Sequence, residues 1–400
     1  LAEVSARPQY GAIAKGADEP VGPRFVRQTD IAGGRIDWSS VPYCDLAPSE
    51  FAKYAIHAGD LLVSRLGNGV GKAATVKDPW GAVFAGYLVR FQPDPRIAVP
   101  EFVGYQLQSL AWRQHVSGFR SGAAQPTLNA QQMGDFPFLL PPVDKQQSIA
   151  ETLGALDDKI ESNRRTISQF EVLGAAIVES SLNLDAYGFP DYDPARRIGD
   201  VLAVLETGSR PKGGVVASST GVVSLGAESV QAAGVMTTPD FKRVPHDFAS
   251  AMRRGHLLDG DVLVYKDGGK PGNFTPHVSA FGQGFPVLEA TINEHVYRVR
   301  SSDGFSQGLL YWLLRSPWMD QEMRKRGTGV AIPGLNSTNF RDLPLPLLDA
   351  DSIDALNEQL DLMLTAMLRL GAESSRLVAL RDTLLPELLS GRIHVPEPVG

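Results

Sequence analysis

The chain states one pattern twice, and the second statement begins about 200 residues after the first. Each copy opens on a short strand-like phrase, Leu1-Ala2-Glu3-Val4 and Ile198-Gly199-Asp200-Val201. Each then carries Gly-Asp before three aliphatic residues, Gly59-Asp60-Leu61-Leu62-Val63 and Gly260-Asp261-Val262-Leu263-Val264. Pro-x-Leu-Asn follows, with Pro126, Leu128 and Asn129 answering Pro333, Leu335 and Asn336. Asp-x-Pro comes next in both, at Asp135/Pro137 and Asp342/Pro344, and a long heptad segment closes each copy. A repeat of this length is a whole domain with a helix attached, not one unit of a solenoid. Two heads on two helical arms describe a molecule that touches something in two places at a fixed separation.

The heptad segments set the architecture. Leu153, Leu156, Ile160, Asn163, Ile167, Phe170, Gly174 and Ile177 alternate spacings of three and four. Displaced by 207, the same rhythm gives Leu360, Met363, Met367, Leu370, Ser374, Leu377, Arg381 and Leu384. This is an a/d seam, and it predicts two helices packed as a coiled coil, with Asn163 and Ser374 fixing its register. Since both helices follow homologous heads in one chain, the simplest closure is antiparallel, with a pseudo-twofold repeat. The rival reading has each helix merely covering its own head, which leaves more seam than a small head uses. The seam from Leu153 to Ile177 spans roughly 36 Å at about 1.5 Å per residue, close to one turn of DNA.

The fold class expected is α+β, two mixed, β-rich heads each followed by a long helix. The boundaries expected are a first head at 1–140, a helix at 141–183, a linker at 184–197, a second head at 198–348, a second helix at 349–392 and a tail at 393–400. Pro141-Pro142 marks the first junction, and Gly391 suits a helix C-cap. Within the first head, Leu61–Val63 and Val83–Phe91 read as strands, and Pro100–His115 has helical spacing. The second head repeats the order with Val262–Tyr265, a glycine-rich turn at Asp267–Gly272, Ile292–Val299 and a helix near Gly308–Arg324. A chain that opens on Leu1 with the repeat under way is expected to lack a few initial residues.

Composition narrows the chemistry. The chain is 43% hydrophobic, and no apolar run approaches the roughly 20 residues that span a bilayer. One cysteine, Cys44, allows neither an internal disulfide nor a thiolate metal cluster, and a reduced cytoplasmic setting is expected. Leu66–Lys72 fails as a phosphate loop, since Leu66 stands where a glycine is needed and Ala73 where Ser or Thr belongs. No Asn-Pro-Pro-aromatic run marks a base-methylating site, and the histidines lack ligand spacing. Neither a metal nor a cofactor is expected. Asp267-Gly268-Gly269 and Asn293-Glu294-His295 are the polar clusters most like a site, and turn and hydrogen-bond roles are expected for them.

The net charge of −7 runs against a nucleic-acid partner, yet the charge is segregated, with an acid-rich first arm and basic groups on the heads. Charge alone is therefore inconclusive; glycine-rich loops and basic residues gather at Arg65, Asn68, Lys72 and Arg120 in one head and at Lys266, Lys270, Arg324 and Arg326 in the other, the candidate DNA-binding residues if the heads read DNA.

These residues resemble a known family, the specificity subunit of type I restriction–modification systems. The phrase Leu140-Pro141-Pro142-Val143-Asp144-Lys145-Gln146-Gln147-Ser148-Ile149-Ala150-Glu151-Thr152-Leu153 is similar to the entry of that family's central conserved helix. Leu380-Arg381-Asp382-Thr383-Leu384-Leu385-Pro386-Glu387-Leu388-Leu389-Ser390-Gly391 is similar to its distal conserved helix. Gly260–Gly269 and Asn293-Glu294-His295 look like phrases of a target recognition domain. The chain departs at Lys145, where the family usually has Glu, and at Pro346-Leu347-Leu348-Asp349, which lacks the double proline. The resemblance implies a DNA reader without catalysis of its own. Each head would be a target recognition domain for one half of a split site in double-stranded DNA. The arms would dock two modification subunits, which carry S-adenosylmethionine and methylate adenine, and a restriction (translocase) subunit would join them. Leu173, Leu182, Leu385 and Leu388, outside the seam, are candidate docking contacts, with packing against the heads an equal claimant. The alternative is a recognition scaffold for another methyltransferase or phage-defence complex that lacks the restriction subunit.

Arm length is then expected to set the spacer of the target. Inserting four residues after Ile167 lengthens the arm by about 6 Å and turns it by about 40°. Mapping methylated sites should show the half-sites kept and the spacer changed, or activity abolished. Activity at the original spacing would rule the arm out as the ruler.

Overall fold

A computed structural model describes residues 1–119, 127–186, 189–217, 220–229, 231, 233–235, 241–270, 273–282, 284, 287–302, 304–329, 333–348 and 353–395. The chain divides into two compact units, Leu1–Asp158 with Ala379–Gly400, and Lys159–Val378.

In the first unit, strands β1 (Gln9–Tyr10), β2 (Leu61–Ser64), β3 (Ala73–Thr75) and β4 (Leu88–Phe91) form an antiparallel sheet in the order β1-β4-β2-β3. In the second, β5 (Leu202–Thr207), β6 (Val262–Tyr265), β7 (His277–Ala280) and β8 (Val296–Ser301) take the matching order β5-β8-β6-β7. The registers correspond as well: Gln9 lies opposite Arg90 as Glu206 lies opposite Arg298. The repeat is therefore a repeat of fold. Strands β2 and β4 are buried on both faces. Leu61, Val63, Val89 and Phe91 join one core, while Leu62 and Leu88 join another. That two-sided burial is why the strands read as unbroken apolar runs without alternation.

Three expected elements are each two. Val83–Phe91 is a short strand at Val83–Phe84, a turn, and β4. Pro100–His115 is a pair of helices, Pro100–Gln106 and Leu110–Gly118, the second capped by Ser109. The helix expected near Gly308–Arg324 is Gln307–Arg315 followed by Pro317–Lys325. Ser316 caps the second of these and Pro317 takes its first turn, a sequence that starts a new helix and cannot continue the old one. Within the stretch expected as a linker, Tyr192–Arg197 pairs as a strand with Pro344–Pro346. Cys44 is fully buried, and burial, aided by Asp45, pushes its thiol up.

The repeated Gly-Asp is a corner with a buried charge behind it. Gly59 and Gly260 adopt φ of 87° and 77°, which L side chains disfavour. The aspartate that follows accepts from a backbone N–H three residues earlier, His57 at 2.9 Å or Leu258 at 2.6 Å. It also binds an arginine on the neighbouring strand. Arg90 reaches Asp60 at 3.3 Å, and Arg298 reaches Asp261 at 2.6 Å with Arg300 beside it. The same arginine holds the first strand, Arg90 through Gln9 and Arg298 through Glu206 at 2.9 Å.

The arms are the helices Val143–Ser181 and Ile353–Leu389. In the first unit Leu153 shares a core with Leu388 and Leu389, and Asp157 meets Arg381 at 2.9 Å. In the second, Asn163 donates to Glu373 at 2.8 Å and to Ser374 at 3.3 Å, while Leu182 bridges to Leu348. Within each unit the two helices therefore run antiparallel, and every expected seam residue is buried or half-buried. Asn163 and Ser374, the polar entries in the seam, face each other. The seam also serves the heads. Ile167 joins a core with Tyr311 and Trp312, and Gly174 leaves room for the Trp312 ring.

Each head grips an arm with a buried tyrosine. Tyr105 donates to Asp157 at 2.8 Å, and Arg35 donates to the Asp157 carbonyl at 2.8 Å. Burial and the neighbouring carboxylate push the Tyr105 phenol well above its ordinary value, so it stays a donor. Tyr311 donates to Glu171, which Arg315 also pairs at 3.2 Å.

Replacing Arg90 by Leu leaves the Asp60 carboxylate buried without its counter-charge, which is expected to destabilise the protein by about 3–5 kcal/mol. Urea denaturation should show that loss, and Asp60→Asn in the same chain should recover part of it.

Candidate nucleic-acid interface

At one end of each of the two matching sheets several loops meet at a cation. Arg65 follows β2 and Lys266 follows β6, and their backbones are held alike. The Arg65 N–H donates to Tyr87 at 3.0 Å, and the Arg65 carbonyl accepts from Leu128 at 2.9 Å. The Lys266 N–H donates to His295 at 3.1 Å, and its carbonyl accepts from Leu335 at 2.7 Å. Bridges Leu66–Thr127 and Asp267–Gly334 continue the match. The Pro-x-Leu-Asn phrase is thereby explained. Its leucine ties the loop to the cation's backbone, and Asn129 or Asn336 caps the next helix by accepting an N–H at 2.8 Å.

The surroundings of the two cations differ. Arg65 lies 4.9 Å over the Tyr10 ring, with the exposed Tyr87 nearby in the chain turn. Lys266 lies 5.6 Å over the Tyr297 ring and pairs with Asp267 at 2.6 Å. Asp267 also takes His295 Nδ1 at 3.1 Å, and His295 Nε2 lies 3.5 Å from Glu294. Glu294 in turn pairs with Arg210 at 2.6 Å. The two polar clusters noted in the sequence, at Asp267 and at Asn293–His295, are thus one hydrogen-bonded network. Tyr297 donates to the Leu335 carbonyl at 3.0 Å, and burial, then Asp267, pushes its phenol up to about 12.

The other candidates lie elsewhere. Asn68 and Lys72 are exposed and line a cavity of about 1020 Å³ with Arg113, Gln108 and Arg381. Lys72 makes no ion pair among the described residues. Arg324 is held by Asp320 at 2.6 Å and by the Phe274 carbonyl at 2.9 Å, and Arg326 by Glu322. Arg120 falls outside the described residues. Lys270 is described only in its backbone, paired with Asn273. Of the arm leucines, Leu388 is buried in the first unit's core and Leu385 packs against it, while Leu173 is half exposed. Head packing claims the first two. Tyr10, Tyr87, Arg210 and Lys212, at or beside these loops, are not among the candidates read from the sequence. The turn Gly208-Ser209-Arg210-Pro211-Lys212-Gly213-Gly214 carried a readable signal, two cations in a glycine-bounded loop.

Residues 22–171 match the model of the type I restriction modification DNA specificity domain. That match covers under half of the chain, which is similar to the specificity subunits of type I restriction enzymes. The chain is 26% identical over 176 residues to the HindI specificity subunit of Haemophilus influenzae, covering 43% of this chain and 36% of that one. It is 26% identical over 171 residues to a putative MjaX specificity subunit of Methanocaldococcus jannaschii, covering 42% and 40%. The matches thus span well under half the length of these curated relatives. The fold extends the likeness beyond the family match. The crystal structure of a type I S subunit from M. genitalium aligns over 97% of this chain and 94% of its own, with a TM-score of 0.56 at 13% identity. No helix among the described residues is long and apolar enough to cross a membrane.

Replacing Tyr297 by Phe leaves the Leu335 carbonyl without its donor, at about 1–2 kcal/mol. Hydrogen exchange should quicken in residues 333–336. Because the folded phenol titrates above its unfolded value, its contribution is whole below about pH 10 and fades as pH rises through about 12. The variant should lack that alkaline component in its unfolding curves.

Proposed function

We propose that this chain is the DNA-reading specificity subunit of a type I restriction–modification complex. Each head reads one half of a bipartite double-stranded target, and partner subunits methylate adenine or cleave. The observation that carries the reading is the matched pair of loop clusters, each with a cation at the same node of the same sheet. One catalytic centre does not need building twice, whereas a split target needs two readers of one design. Among the described residues no group of three or more His, Cys, Asp or Glu is placed to hold a metal ion. In this reading S-adenosylmethionine belongs to two modification subunits docked on the arms, a restriction subunit completes the complex, and the assembly works in the cytoplasm. A net charge of −7 fits a reader whose affinity for phosphate is shared with its partners.

Reconstitution tests this. Methyl transfer and DNA affinity are measured for the chain alone, for its modification partner alone and for the mixture. The mixture should methylate one split motif at a rate neither component shows. Robust methyl transfer by the chain alone would overturn the reading. Within the mixture, Lys72→Ala should weaken binding to all sequences and reduce the salt slope by about one if Lys72 meets a phosphate.

A further inference from the structure

The loop that leaves the first strand of each sheet is fastened in the same way in both heads. Gly11 after β1 and Gly208 after β5 occupy equivalent places, since Tyr10 pairs with Val89 as Thr207 pairs with Tyr297. A side chain at Gly11 would collide with the carbonyls of Phe84 and Ala85, and one at Gly208 with the carbonyl of Ile292. Backbone bonds close the contact: Ala12 N–H to Phe84 at 2.8 Å and Gly86 N–H to Ala12 at 2.7 Å, with Gly208 N–H to Asn293 at 3.2 Å in the other head. Both loops are therefore held against the turn that precedes the next strand.

Two residues past each glycine stands the side chain the two heads do not share. In the first head it is Ile13, fully exposed at 101%. In the second it is Arg210, its side chain 48% exposed beside a cavity of about 590 Å³ lined by Ser209–Gly214 and Glu294. The opposing turn differs to match, Gly86-Tyr87 in one head and Glu294-His295 in the other. Ile13 is left uncovered on a loop whose backbone is fastened at Gly11 and Ala12. Arg210 is held through Nε by Glu294 at 2.6 Å, which leaves the Nη1–Nη2 edge of the fork for a bidentate acceptor. Glu294 is oriented by His295, and its Oε2 is buried without a partner among the described residues. A guanidinium tethered to a carboxylate is partly neutralised and fixed in direction. That suits a base edge and suits a phosphate poorly.

We infer that these equivalent loop positions read bases, Arg210 a guanine through O6 and N7, and Ile13 a thymine through its methyl group. Those pairings follow the chemistry of the major groove, where an arginine fork matches guanine and an apolar group matches the thymine methyl. Glu294 is a positioning residue for Arg210. The inference rests on the DNA-reading function proposed above and assigns specificity-determining residues within it.

The test is the methylated motif of a host expressing the full chain with its modification partner, mapped for wild type, Arg210→Ala, Ile13→Ala and Glu294→Gln. With Arg210→Ala one half-site should lose its requirement for a single guanine and the other half-site should be unchanged. Ile13→Ala should relax a single thymine in the opposite half-site. Glu294→Gln should relax the same guanine as Arg210→Ala and no other position. Each relaxed position should show at least a tenfold gain in methylation of the mismatched sequence relative to wild type. An unchanged motif in both alanine variants would overturn the inference. So would a uniform loss of methylation at all sites with an unchanged thermal melt, since that marks Arg210 as a phosphate contact. A wild-type complex with no split motif would instead remove the DNA-reading function itself, so the two failures are distinguishable.

Discussion

Behind each head lies one buried ion pair, Asp60 with Arg90 and Asp261 with Arg298, and the loops at that end of the sheet depend on it. Each aspartate closes the corner that starts the central strand. Each arginine crosses to the edge strand and holds it through Gln9 or Glu206. Three strands are thereby tied at one charged node, and the loop beyond the edge strand leaves from a fixed point. Burying two charges is unfavourable unless each is paired and further hydrogen-bonded. Gln92 adds 2.8 Å to Asp60 in the first head, and Arg300 adds 2.6 Å to Asp261 in the second. The second head also carries this node toward the surface, where Glu206 accepts the Gly255 N–H at 2.9 Å beside Gly208.

The arms depend on a second kind of constraint. A helix of 39 residues gains little from propensity alone and is held by what packs on it. Here the packing is shared between the opposite helix and a head in each unit. Asp157 shows both, accepting from Tyr105 of the head and from Arg381 of the other arm. Asn163 lies in the seam at 1% exposure and finds Glu373 and Ser374. The Asn163 hydrogen bond, with help from Lys159, holds the Glu373 carboxyl below its usual range, so this polar contact favours one register over a slipped one.

Much of this is legible in the sequence. The seam residues Leu153, Ile167, Leu360 and Met367 are buried as their spacing required, because a heptad pattern encodes a face directly. Gly59 and Gly260 marked their corners because few residues accept a positive φ. The site was legible only in part. Arg65 and Lys266 occupy matching nodes, while Arg324 pairs with Asp320 on its own helix and Arg326, at the end of that helix, pairs with Glu322. Charge in a sequence does not say which partner will neutralise it. Arg210 passed unnoticed because its meaning comes from Glu294, 84 positions further along.

The sequence by itself determined the doubling, the two heads and the antiparallel seam, since repeats and apolar periods are local and additive along a chain. It also determined which positions had to be glycine for the corners. Tertiary structure alone decided which cations are committed to internal pairs and which face outward. It alone placed Ile13 and Arg210 at equivalent tips, because that match rests on strand register and on backbones meeting where Gly11 and Gly208 carry no side chain. Such contacts join residues far apart in sequence, and no local pattern records them.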